Sequence, residues 1–113
     1  MIHVAFLPMP PMIFGCAEHD LDTGDYWVFI SKNQCPLRQR QAFGHELAHI
    51  FLKHHDITML LDRYEDKDST AHKRYESCEA EANRRAWEYY RQYKDAFRQL
   101  QQAGKAKISI CQI

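Results

Sequence analysis

Gly44-His45-Glu46-Leu47-Ala48-His49-Ile50-Phe51 is the stretch on which the reading of this chain turns. Two histidines stand four positions apart, and a glutamate follows the first. On an α-helix, residues four apart lie about 40° apart around the axis and one turn up. Two imidazoles so placed can reach one Zn2+ at about 2.0–2.1 Å. Glu46 points about 100° away from His45. It therefore lies beside such an ion, where it can accept a proton from water. Given the His and Glu content of the chain, chance produces an HExxH about once in 40 such sequences, before any helix is demanded.

The flanks make the segment helical. Pro36 suits a first helical position, where its missing N–H costs nothing. The helix is predicted from Pro36 to His54 or His55, with Leu37, Phe43, Leu47, Ile50 and Phe51 on its apolar side. Upstream, Ile2–Leu7 reads as a strand stopped by Pro8, Pro10 and Pro11. Residues 12–18 form a second candidate strand. Residues 20–25 carry turn chemistry, with Gly24 able to take positive φ. Residues 26–30, Tyr-Trp-Val-Phe-Ile, are aromatic and β-branched and close a hairpin.

Downstream, residues 56–68 read as a loop with a helical turn. Ala71, Tyr75, Cys78, Ala82, Ala86, Tyr89, Tyr93, Phe97 and Leu100 then recur every three or four positions. That is one stripe along a long helix, and Gly104 stands where such a helix stops. Residues 107–113 alternate weakly and read as a terminal strand. The expectation is one α+β domain over residues 1–113: a small antiparallel sheet packed on the HExxH helix and a long C-terminal helix.

A hydrolytic zinc site needs a third protein ligand and one open position. His55 stands ten residues after His45, but Leu52 fills the position where a glycine would turn the chain back. On a continuing helix His54 falls on the opposite face. Glu79 borders the apolar stripe at Cys78 and Ala82, and Asn83 follows one turn later on the same face. Glu79 is thus the favoured ligand, and Asn83 can fix a ligand histidine through its outer nitrogen. Glu81 points about 200° from Glu79 and reads as solvated. His72 and Tyr75 are candidates to stabilise an oxyanion.

Composition excludes several other functions. Fifteen basic and fifteen acidic side chains give no net charge over 113 residues, whereas phosphate binding rewards a basic excess. No nucleic-acid partner is expected. No apolar run reaches the roughly 18 residues that span a bilayer. The opening residues, Met-Ile-His-Val-Ala-Phe-Leu-Pro-Met-Pro-Pro, lack the charged and apolar regions of an export signal. The expected setting is cytoplasmic and off the membrane. Cys16, Cys35, Cys78 and Cys111 form no C-x-x-C pair and are expected to be reduced there.

From Asp25 to about Ala86 the chain resembles the ImmA/IrrE metallo-endopeptidases, within the gluzincin-like zinc peptidases. The resemblance rests on the strand Asp25-Tyr-Trp-Val-Phe-Ile-Ser31, on Arg38-Gln-Arg-Gln-Ala-Phe-Gly-His-Glu-Leu-Ala-His49, and on Glu79-Ala-Glu-Ala-Asn83. Carried over, it implies a minimal zincin-like fold, His45, His49 and Glu79 as zinc ligands, and Glu46 as the catalytic base. It further implies cleavage of a protein regulator such as a repressor or antitoxin. Gly44 and Ala48 stand where the family often has Ala and Gly. After Asn83, Arg-Arg-Ala-Trp-Glu-Tyr-Tyr replaces the family's usual Phe-Ala and proline-containing ending. Two other readings compete. One is a non-catalytic, zinc-containing regulator-binding module of a phage or mobile element. The other is a toxin or antitoxin acting on translation. Neither substrate nor oligomeric state is written in the sequence.

Overall fold

The computed structural model describes residues 1–54, 66–103 and 107–110. The elements run β1 (Ile2–Leu7), β2 (Gly15–His19), β3 (Tyr26–Ser31), α1 (Pro36–Phe51), α2 (Thr70–Ala103) and β4 (Lys107–Ile110). The fold is α+β, as the element pattern predicts. The expected loop over residues 56–68 lies mostly outside the described residues, as do His55, Gly104 and Cys111.

The four strands form one sheet in the order β2-β3-β1-β4. β2 and β3 make the expected antiparallel hairpin, with Ala17 opposite Val28. Gly24 takes φ 78° in its turn, where the Gly24 N–H donates to the Asp20 carbonyl at 2.8 Å. β4 pairs antiparallel with β1. The sheet is nevertheless mixed, not antiparallel throughout, because β1 and β3 run parallel with Val4 opposite Val28. After β1 the chain crosses to the far side of β3, lays down β2 there, and turns back. β3 therefore enters beside β1 in the same direction. β3 is consequently paired on both sides, and β2 is a sheet edge.

One sheet face buries Ile2, Val4, Val28 and Ile30 completely. They join Phe43, Leu47, Ala48 and Ile50 of α1 in the core. Leu37, expected on the apolar side, is instead 54% exposed. It precedes the part of the helix that meets the sheet. α2 contributes Ala82, Ala86, Tyr89, Phe97 and Leu100 from its predicted stripe, all buried, together with Tyr90. Aromatic rings join the layers. Phe43 stacks on Phe97 with centroids 4.3 Å apart, and Phe6 meets Phe97 edge-on. Phe51 stacks between Tyr89 and Tyr93. The long helix breaks at Tyr93, with φ −127° and ψ 15°, at the end of that stack. No helix among the described residues is long and apolar enough to cross a membrane.

α1 ends at Phe51, three or four residues before the predicted stop. Lys53 takes the left-handed conformation with φ 59°. The Lys53 N–H donates to the Ile50 carbonyl at 3.2 Å, and the His54 N–H donates to the His49 carbonyl at 2.9 Å. This is the Schellman helix stop. Glycine usually fills its left-handed position, and the lysine here is why the sequence gives no stop signal. Its effect is to fold residue 54 back over residue 49.

Candidate metal centre

α1 and α2 pack directly against each other, and the site spans their contact. His45 and His49 project from one side of α1, one turn apart. Their Nε2 atoms lie 3.0 Å from each other. Glu79 of α2 reaches both, with Oε2 3.1 Å from His45 Nε2 and Oε1 3.1 Å from His49 Nε2. These are the only three His, Cys, Asp or Glu side chains among the described residues that cluster closely enough to share an ion, with one ligand atom from each within 4.8 Å of the others.

Second partners fix which ring atoms face inward. The Asn83 side-chain oxygen lies 2.8 Å from His45 Nδ1. A carbonyl oxygen only accepts, so His45 Nδ1 carries a proton and Nε2 is the ring atom turned toward Glu79. Two imidazole nitrogens and a carboxylate converging in this way form a set that could hold a metal ion. An ion bound tetrahedrally at about 2.0–2.1 Å would set its ligand atoms about 3.3–3.4 Å apart. The observed spacing is a few tenths of an ångström shorter. The residues therefore fit a tetrahedral divalent ion with a small relaxation.

The electrostatics agree. Burial opposes the charge on Glu79, but hydrogen bonds to His45 and His49 outweigh it and hold its carboxyl well below the usual carboxylate range. Burial likewise disfavours charged His45, yet Glu79, Glu46 and Asn83 together raise its pKa. Glu46 differs from both. It is 8% exposed on α1, and burial raises its pKa, with Glu79 adding and the two histidines opposing. A raised carboxylate pKa makes a better proton acceptor near neutrality.

The edge strand passes close by. A Cβ on Gly15 of β2 would sit 3.3 Å from the Ala42 Cβ of α1. Burial, with help from Glu46 and Glu18, pushes the Cys16 thiol up to about 11. The charge of Glu46 is therefore felt on β2.

Of the other candidates, His72 is committed elsewhere, with its Nε2 3.0 Å from Glu76 on the next turn of α2. Two sequence readings need correction. His54 does not lie on the far face, because α1 has ended: its Nδ1 is 3.0 Å from His49 Nδ1. Glu81 is not merely solvated, since its Oε1 is 2.8 Å from His54 Nε2. Both follow from the lysine-based helix stop.

No curated protein and no solved structure matches the chain. The family described as the IrrE N-terminal-like domain, peptidase family M78, matches residues 2–104. With a two-histidine, one-carboxylate cluster of the kind a metallopeptidase requires, the chain belongs to that family.

Proposed function

We propose that this protein is a zinc-dependent endopeptidase that cuts a protein regulator, with His45, His49 and Glu79 as metal ligands and Glu46 as general base. The observation that carries the proposal is the convergence of three ligand atoms from two helices beside a buried carboxylate of raised pKa. Two nitrogens and one carboxylate oxygen are a common catalytic zinc set, and they leave a fourth position for water. Zinc held by these three residues would supply Lewis acidity toward a water and the scissile carbonyl. Glu46 accepts the proton of the attacking water and returns it to the leaving amine nitrogen. Among the described residues β2 is a sheet edge, and such an edge suits an extended substrate, which would add to the sheet as a further strand. β3 is not available for that role, because it is paired on both sides.

The test is metal content and cleavage measured together. Wild-type protein is expected to bind one zinc per chain and to cut a regulator encoded beside it. A chelator should stop the cutting and added zinc should restore it. Glu79→Ala is expected to lose both metal and activity. Stoichiometric zinc in that variant would remove Glu79 from the ligand set. A regulator that binds wild-type protein and stays intact would instead identify a non-catalytic module.

Metal binding is also expected to release protons. Ligand histidines must be neutral to bind, and His45 has its pKa raised in the metal-free protein. Zinc affinity should therefore climb as pH rises through that raised value and level off above it. Calorimetry in buffers of different ionisation enthalpy checks this, and a buffer-independent heat near neutrality would contradict it.

A further inference from the structure

We infer that His54 and Glu81 are positioning residues: they form an arm that holds the His49 ring and sets its tautomer. The inference rests on the reading of His49 as a metal ligand. Its basis is a chain of contacts, from His49 Nδ1 to His54 Nδ1 at 3.0 Å and from His54 Nε2 to Glu81 Oε1 at 2.8 Å. His49 and His54 are both buried, and their rings meet edge to face with centroids 5.1 Å apart.

The protons along this chain follow from one requirement. If His49 Nε2 gives its lone pair to a metal, Nδ1 must carry the hydrogen. That N–H donates to His54 Nδ1, which must then be a bare acceptor. His54 in turn carries its hydrogen on Nε2 and donates it to the Glu81 carboxylate. Each link fits only one tautomer, so Glu81 fixes His49 through His54. The arrangement lengthens the usual carboxylate–histidine–metal series by one imidazole.

The backbone accounts for the arm. His54 occupies the last position of the helix stop and His49 the position it covers, a pair that commonly makes an apolar contact. Here two imidazoles fill those places. The two ligand histidines are thus held by different means, His45 by Asn83 directly and His49 through two side chains. Both supports originate on α2, which also supplies Glu79.

Zinc affinity, measured by competition with a chromophoric chelator, tests the arm in His54→Ala, Glu81→Ala, the double variant and His54→Gln. Each single alanine variant is expected to lose about 10–100-fold in affinity, with the metal-free melting temperature little changed. The double variant should lose no more than the worse single one, because the contacts act in series. His54→Gln should recover much of the loss, since its amide can accept from His49 and donate to Glu81. Alanine variants within twofold of wild type, beside a Glu79→Ala variant that loses metal, would overturn the arm alone. Retention of metal by Glu79→Ala would instead strike the ligand reading. Should His54→Ala not fold, nitrogen-15 spectra of zinc-loaded wild-type protein decide. His54 protonated at Nε2 supports the arm, and His54 protonated at Nδ1 overturns it.

Discussion

Glu46→Gln is expected to keep its zinc and to lose turnover by at least about 10²–10⁴-fold, the usual share of a positioned acid–base group. The substitution preserves shape and length, so α1 should pack as before. It removes only the basic oxygen. Glu46 is buried beside both histidines, and glutamine there is neutral at every working pH. Burial disfavours the charged carboxylate, so the variant should be no less stable than wild type and can be slightly more so. Metal analysis, a thermal melt and a cleavage assay on one preparation separate these effects. Wild-type cleavage rates in that variant would eliminate the proposed mechanism, whatever the metal content.

Gly44→Ala should be strongly damaging. A Cβ at Gly44 would lie 2.3 Å from the carbonyl oxygen of Ala86, 2.9 Å from its carbon and 3.1 Å from the Tyr90 Cβ. The obstacle is the backbone of α2, which cannot swing aside like a side chain. The two helices would have to separate by about 1 Å, and overpacking of this kind costs about 1–3 kcal/mol. The shift also reaches the metal site. Glu79 and Asn83 stand on α2 within about two turns of Ala86, whereas metal–ligand distances tolerate only about ±0.2 Å. Zinc affinity should fall at least about tenfold, alongside a lower denaturation midpoint. A variant of unchanged stability and affinity would show that the helices are not held at this spacing.

How legible the site was depended on the kind of signal each residue leaves. His45, Glu46 and His49 announce themselves because helical geometry turns a spacing of four into a shared direction. Glu79 and Asn83 follow from their place beside the apolar stripe of α2, and Asn83 stands 2.8 Å from His45 as that reading anticipated. His54 and Glu81 left no comparable mark. The helix stop that brings them in has a lysine at its left-handed position, and lysine there looks like any surface residue. The sheet was readable strand by strand, since alternation and turn chemistry are local properties. Its mixed pairing was not, because β1 and β3 meet across some twenty residues and nothing in either strand names its neighbour. Leu37 is exposed because the apolar periodicity of α1 starts before the helix reaches the sheet.

That the centre draws two side chains from one helix and one from another has a bearing on how long the molecule survives. An ion held this way acts as a strap between segments about thirty residues apart in sequence. Ligand that binds only the folded form adds RT ln(1 + [L]/Kd), or about 2.7 kcal/mol at a hundredfold excess over Kd. For a chain this small, that is a large fraction of the whole folding free energy. With zinc as the proposed ion, resistance to heat and to proteolysis should therefore rise and fall with the free metal around the protein, so that scarcity of the metal would shorten its lifetime.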